Sequence, residues 1–461
     1  MNIPLATEIF RAYDIRGIAE QQILPTTAYA IGQAFAQILK EKNQNRLCVA
    51  RDARLSGEIL EKSLIEGLLA SGINVIELGI IASPLLYFAT CYLNCPYGIM
   101  VTASHNPAEY NGFKFVLDGK PLTPEQIKNL QYRIENNSFS LSDQKGEIVH
   151  QNIIPVYLEY IANNIHLERP LTVVVDAGNG VAGHIAPQLY RRLGCTVYEL
   201  FCELDGAFPN HHPDPSRPEN LKDLQEAVVK FNADVGLAFD GDADRLGVVT
   251  NEGEIIWPDR QMMLFSKAVL AESPGSSIIF DVKCSKHLGS EIKSAGGIPI
   301  MAKTGHSFMK LKLKEMQAAL AGEMSGHIFF QHRWFGFDDG IYCGARLLEI
   351  LSQQTQTSSE IFASLPNAIA TPEINISIPE KEKFEFVDKV ISAAKDISAE
   401  KITLDGLRLE FDDGWALVRA SNTAAILVLR FEANDQAALM RIQQQIKTLL
   451  LSIKGDLIFP F

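Results

Sequence analysis

Three times in this chain an apolar run gives way, at an aspartate, to a new helical pattern. The runs are Arg46 to Ala50 ahead of Asp52, Leu171-Thr172-Val173-Val174-Val175-Asp176, and Ser277-Ile278-Ile279-Phe280-Asp281-Val282-Lys283. Short Val/Ile-rich strands alternating with helices require a mostly parallel sheet with helices packed on it. Asp52, Asp176 and Asp281 read as equivalent positions in one α/β design used three times. Around the first run the pattern is regular. Ile31, Phe35, Ile38 and Leu39 define one helix face, and Leu55 to Ala70 holds Leu60, Leu64, Ile65 and Leu68 in helical register. Ile73 to Leu78, Pro84 to Leu93 and the strand Tyr97 to Val101 continue the alternation. The opening stretch Phe10 to Gly17 has no period and reads as a loop. Gly178-Asn179-Gly180 opens a further helix.

From about Leu365 the pattern changes. Pro366, Pro372 and Pro379 bracket a polar linker, a candidate hinge. Leu407 to Phe411 and Trp415 to Arg419 flank an Asp412-Asp413-Gly414 turn, and Ala424 to Phe431 and Gln436 to Leu450 add a strand and a closing helix. At 461 residues the chain exceeds what one core supports. The expected domains are 1–148, 149–254 and 255–366, each α/β, and 367–461, a smaller α+β unit.

A composition of 47% hydrophobic and 21% charged residues is that of a folded globular protein. The net charge of -13 argues against a general nucleic-acid or anionic-membrane surface, so an anionic ligand must meet a local cluster of donors. Met1 to Gly17 lacks an apolar signal core, and Ile73 to Thr90 is broken by Glu77, Gly79 and Pro84. The seven cysteines form neither a zinc nor a disulfide framework, which suits a reducing cytoplasm. Cys91 and Cys95, four apart on an expected helix, read as buried thiols.

Two loops carry the chemistry. Thr102-Ala103-Ser104-His105-Asn106-Pro107 follows a buried strand and presents a hydroxyl beside an imidazole, although alone it is as much a turn sequence as a site. Asp240-Gly241-Asp242-Ala243-Asp244-Arg245 lies between the apolar runs Val235 to Phe239 and Leu246 to Val249. Three carboxylates at alternate positions repel by roughly 4 kcal/mol per close pair at an effective dielectric near 20, so a cation belongs among them. Oxygen-only ligands favour Mg2+, then Mn2+ or Ca2+. A calcium EF-hand is excluded because its sixth and twelfth positions hold Arg245 and Asn251 rather than Gly and Glu.

These two loops, with Gly322-Glu323-Met324-Ser325-Gly326-His327 and Arg419-Ala420-Ser421-Asn422-Thr423, resemble the α-D-phosphohexomutase superfamily along essentially the whole chain. The third and fourth motifs look most like its bacterial phosphomannomutase/phosphoglucomutase branch. Ala424-Ala425 departs from relatives that carry a proline or an acidic residue there. The resemblance implies three related α/β mixed-sheet domains and a C-terminal α+β domain around a central cleft. It implies that Ser104 carries a phosphoryl group, with one Mg2+ held by Ser104, Asp240, Asp242 and Asp244. Arg16, Lys114, Arg245 and His327 match catalytic positions near the transferred phosphate, a lysine aiding proton transfer only if its pKa is lowered. Tyr13, Lys283, His306, Glu323 and Ser325 match sugar-facing positions, Glu323 and Ser325 for the 3- and 4-hydroxyls. Arg419, Ser421, Asn422 and Thr423 match the grip on the non-reacting phosphate.

The implied reaction is reversible transfer between C1 and C6 of mannose and glucose phosphates. It passes through a hexose 1,6-bisphosphate, both intermediate and activator, that turns end for end. A site that grips the 3- and 4-hydroxyls should accept both sugars, which differ at C2. The nearest alternative is a phosphoglucosamine mutase, followed by a metal phosphatase and a non-catalytic sugar-phosphate sensor. The expected setting is a cytoplasmic monomer or weak homo-oligomer without nucleic-acid or membrane partners.

Overall fold

The computed structural model describes residues 5–421 and 424–461. It divides into two compact units, Met1–Gln261 with Ser325–Phe362, and Met262–Met324 with Ala363–Phe461.

In the first unit one sheet runs, in spatial order, Ile15–Ile18, Tyr110–Leu117, Gly98–Val101, Arg46–Arg51, Asn74–Ile80, Ile148–His150. Its centre is parallel, and it turns antiparallel where Tyr110–Leu117 pairs with Gly98–Val101 and Ile15–Ile18. Parallel neighbours need crossovers, which the helices Gly57–Ala70 and Ser83–Tyr92 provide. The expected face of the helix Pro25–Glu41 is in place: Ile31, Phe35 and Leu39 are fully buried in one core with Val49, Leu64, Ile99 and Phe113. A second mixed sheet has the order Ile255–Ile256, Leu246–Thr250, Val235–Phe239, Thr172–Asp176, Thr196–Leu200. It is parallel about Thr172–Asp176 and antiparallel beyond Val235–Phe239. The Asp loop is therefore the link of a hairpin whose two strands are buried throughout. The strand Ile328–Phe330 and the buried helix Gly340–Ser352 also belong to this unit, the helix capped by Asp339 accepting from the Tyr342 N–H.

In the second unit Ser277–Asp281 lies parallel between Ile298–Ala302 and Leu320–Gly322. Its other sheet is antiparallel throughout: Glu400–Ile402, Leu407–Phe411, Gly414–Ala420, then Ile426–Ala433. The helices Lys383–Ala393 and Gln436–Ile453 bury Phe386, Val390, Ile442 and Leu450 against Leu409, Val418 and Leu429.

The three aspartates share one local geometry. Asp52, Asp176 and Asp281 each accept the backbone N–H two residues on, from Arg54, Gly178 and Lys283 at 3.0, 2.9 and 3.3 Å. Each also binds a side chain from a following loop: the Thr102 hydroxyl, the His211 ring and the Thr304 hydroxyl, respectively. An ordered strand end thus anchors the next loop.

Three expectations are corrected. Ile15–Ile18 is a strand, not loop, in register with Tyr110–Phe113; four residues containing Arg16 and Gly17 are too few to show a period. The linker contains Ile369–Ala370 and Ile374–Ser377, both paired with Ile426–Ala433. In Ile374–Ser377 only Ile376 is buried, so the strand looks polar in sequence. Cys91 and Cys95 do not share a helix: it ends at Tyr92 and Asn94 turns left-handed, leaving Cys91 exposed and Cys95 buried. Among the described residues no helix is long and apolar enough to cross a membrane.

Candidate active site

In the first unit the serine and Asp loops meet. Ser104 and Ala243, both with φ in the left-handed region at 52° and 61°, turn their loops sharply. Such backbone costs on the order of 1–2 kcal/mol per residue and persists only where neighbours enforce it. A side chain at Gly241 would place its Cβ 2.5 Å from the Ser104 carbonyl, so glycine is what permits the loops to approach. Ser104 Oγ donates to Asp240 Oδ2 at 2.8 Å and lies 3.2 Å from His105 Nδ1.

Asp240, Asp242 and Asp244 are fully buried, and one oxygen from each falls within 4.8 Å of the others. Lys114 Nζ lies 2.6 Å from both Asp242 Oδ2 and Asp244 Oδ2. The Ser83 hydroxyl donates to Asp242 Oδ2, and the Ser83 N–H to the Asp242 carbonyl at 3.0 Å. The Arg245 N–H donates to Asp240 Oδ1 at 3.2 Å, while its Nε donates to His327 Nε2 at 3.2 Å. His327 Nδ1 stands 3.3 Å from Asp244 Oδ1 and 3.2 Å from Asp338 Oδ2. Arg16 reaches the serine loop through Asn106 Oδ1 at 2.6 Å.

The electrostatics follow from burial and charge count. Burial, with Asp244 and Asp242 beside it, pushes the Asp240 carboxyl well above the usual carboxylate range. Burial acts on Asp242 in the same sense, but the Lys114 ammonium and the serine hydroxyls more than offset it and hold the group low. Burial and the surrounding cations, Arg245 foremost, keep His105 neutral. Burial acts to lower the Lys114 pKa, but Asp242 and Asp244 carry it well above its ordinary value. It is the counter-ion of both carboxylates.

The donor set fits a hard divalent cation. It is all oxygen, and Asp242 Oδ1 is buried without a hydrogen bond among the described residues.

In the second unit Lys283 Nζ binds Glu373 Oε1 at 2.6 Å. Arg419 Nε donates to Asp405 Oδ2 at 3.0 Å, and the same oxygen accepts the Thr304 N–H at 3.1 Å. Glu323, buried, accepts the Gly305 N–H, and His306 begins the helix His306–Met316. Asp281 also accepts the Met324 N–H at 3.3 Å, so it steadies the loop carrying Glu323. Ser421 is buried and its Oγ accepts the Ala424 N–H at 3.2 Å. Asn422 and Thr423 lie outside the described residues. Tyr13 and Ser325 are half-buried, both in the first unit.

Several supporting residues carry no motif of their own: Arg54, Ser83, Asp338, Glu373 and Asp405. One stretch could have been flagged, Phe208-Pro209-Asn210-His211-His212-Pro213-Asp214, since paired histidines amid prolines are unusual in a plain turn. His211 holds Asp176, the His212 ring binds the His105 backbone, and Asp214 lies 3.9 Å from Arg245.

Two mixed α/β sheets and a third built on parallel strands, followed by an antiparallel α+β sheet, with a serine hydroxyl set against a buried Asp triad, define the phosphohexomutase architecture. Family models for phosphoglucomutase/phosphomannomutase match in order: alpha/beta/alpha domain I over 7–141, domain II over 155–253, domain III over 257–369, and the C-terminal domain over 373–449. The chain is 51% identical over 457 residues to phosphomannomutase/phosphoglucomutase of Pseudomonas aeruginosa, covering 99% of this chain and 98% of that one. It is 50% identical over 458 residues to phosphoglucomutase of Neisseria meningitidis, covering 99% of each. A crystal structure of a phosphoglucomutase/phosphomannomutase family protein from Burkholderia thailandensis superimposes with a TM-score of 0.94 at 46% identity, covering 99% of this chain and all of that one. The chain belongs to the phosphoglucomutase/phosphomannomutase family. It is an enzyme of that class, whose reaction moves a phosphoryl group between C1 and C6 of a hexose phosphate.

Proposed function

We propose that the chain interconverts the 1- and 6-phosphates of both mannose and glucose, with Ser104 carrying the phosphoryl group and a hexose 1,6-bisphosphate as intermediate and activator. The observation that carries this reading is the Ser104 hydroxyl 2.8 Å from Asp240 at the mouth of three buried carboxylates, with Lys114, Arg245 and His327 on the same cluster. The relatives' names divide between glucose alone and both sugars, which makes the second sugar the point to test. Phosphoglucosamine has less support, since the relatives at half identity carry mannose and glucose names.

Asp240, Asp242 and Asp244 would hold Mg2+, which when bound neutralises phosphate oxygens as charge shifts during transfer. Arg245 and Arg16 present guanidinium donors to those oxygens. The free sugar hydroxyl attacks phosphorus, the Ser104 Oγ–P bond breaks, and the hydroxyl proton passes to a base. Arg16, Lys114, Arg245 and His327 are the groups proposed to aid that proton transfer, and His105 adds a second imidazole 3.2 Å from Ser104 Oγ. Tyr13, Lys283, His306, Glu323 and Ser325 bind the sugar, and Arg419, Ser421, Asn422 and Thr423 the other phosphate. Glu323 and Ser325 would read hydroxyls common to both sugars, so C2 is hardly read. The functional segments in this scheme are 1–148, 149–254, 255–366 and 367–461, in a cytoplasmic monomer or weak homo-oligomer.

A phosphorus NMR time course with Mg2+, trace glucose 1,6-bisphosphate and both 1-phosphates tests the reading. Both 6-phosphates should appear. Inorganic phosphate alone would make the chain a phosphatase, and conversion of glucose 1-phosphate only would remove mannose from the proposal.

A further inference from the structure

We infer that Arg54 is a positioning residue for the phosphoryl-carrying serine, holding four backbone carbonyls of its loop through one guanidinium group. The inference rests on the reading of Ser104 as the carrier. The Arg54 side chain is completely buried, a placement a charge tolerates only when it is fully bonded. Every donor is used. Nε binds Asp52 Oδ2 at 3.2 Å, Nη1 binds the Pro107 and Tyr110 carbonyls at 2.5 and 3.0 Å, and Nη2 binds those of Ser104 and Asn106 at 2.7 and 2.6 Å. The Phe208 ring lies 5.2 Å from the guanidinium carbon and covers one face.

The second arm of the clamp is Asp52 itself. It accepts the Thr102 hydroxyl at 2.6 Å, and Thr102 Oγ1 in turn accepts the Ser104 N–H at 2.9 Å. Ser104 is thus held at both its N–H and its carbonyl, on either side of a left-handed φ that an untied loop would relax. No guanidinium hydrogen remains for a substrate, and none reaches Ser104 Oγ, so Arg54 acts only through the backbone it holds. A planar fork of five donors does this; a lysine offers three donors from one nitrogen and cannot span four carbonyls and a carboxylate.

The test is Arg54→Lys and Arg54→Ala in the full chain, assayed with Mg2+, glucose 1-phosphate and radiolabelled glucose 1,6-bisphosphate. A reacting atom displaced by about 1 Å loses roughly a hundredfold in rate. We expect kcat per labelled chain to fall about that far in Arg54→Lys while KM stays within about twofold. Added guanidinium should partly restore Arg54→Ala. Thr102→Val, which keeps the side-chain shape, should show the same split with a loss of about tenfold, and it serves if the arginine variants do not fold. Wild-type kcat per labelled chain, or a change confined to KM, would overturn the inference. Ser104→Ala separates the two levels. If it turns over normally, the carrier reading itself is wrong; if it is inactive and unlabelled while Arg54→Lys matches wild type, only the role of Arg54 is lost.

Discussion

Asp242 is the residue at which burial and charge conflict most directly. Its Oδ2 takes Lys114 and Ser83, while its Oδ1 is buried without a hydrogen bond among the described residues. An ion at the triad would relieve that oxygen, and any ligand that binds only the folded state stabilises it, by about 2.7 kcal/mol at a hundred times its Kd. Thermal melts should therefore show Mg2+ raising the Tm of the wild type and leaving that of Asp242→Asn nearly unmoved, with turnover of the variant at least a hundredfold lower. An equal Mg2+ response in both would place the ion elsewhere. His211 gives a pH dependence of definite sign. Burial alone would lower its pKa, but the hydrogen bond and charge of Asp176 raise it above the ordinary value. The charged form is thus favoured in the fold. The resulting stability is full below the unfolded histidine value of about 6.5 and is lost as pH rises through the higher folded value. The Tm gap between wild type and His211→Gln should be widest near pH 6 and narrow toward pH 9. A gap independent of pH would remove the imidazolium from the account.

At the scale of elements, the helices Pro25–Glu41 and Gly57–Ala70 cross at glycines. A Cβ on Gly32 would stand 2.3 Å from the Leu64 carbonyl, and one on Gly67 2.2 Å from that of Tyr29. Propensity alone favours alanine over glycine inside a helix by about 1 kcal/mol, so at an exposed position Gly→Ala would stabilise. Here the added methyl meets backbone, and overpacking of this kind costs about 1–3 kcal/mol or more. Urea unfolding of Gly32→Ala should show a lower midpoint, and a raised one would mean that the helices separate freely. The helix periods were readable in sequence because Ile31, Phe35 and Leu39 all face one core. The crossing was not, because two glycines in two helices look alike whether they face solvent or each other. Ile374–Ser377 was missed for a related reason: an edge strand needs only one buried residue, and Ile376 among polar neighbours makes no pattern.

For the whole molecule, one site for two sugars makes a kinetic demand. Mannose 1-phosphate should inhibit glucose 1-phosphate turnover competitively, with an inhibition constant equal to its own KM, because a common site must be shared. Mixed or absent inhibition would require separate sites. That demand rests on motifs spread from Thr102 to Thr423, and the chain displays them openly. The serine loop, the Asp triad, the Glu-Met-Ser-Gly-His stretch and the Arg-Ala-Ser-Asn-Thr stretch are each local in sequence, as are the strand-end aspartates 52, 176 and 281. Local chemistry and local period therefore determined the family, the α/β repetition and the candidate reactive groups. Tertiary structure alone decided what those groups meet: Lys114 as a counter-ion to two carboxylates, His327 against Arg245, Asp405 on Arg419, and Arg54 beneath the serine loop. Each of these is a long-range pair, and a pKa or a hydrogen bond depends on distance in space, which spacing along the chain does not encode.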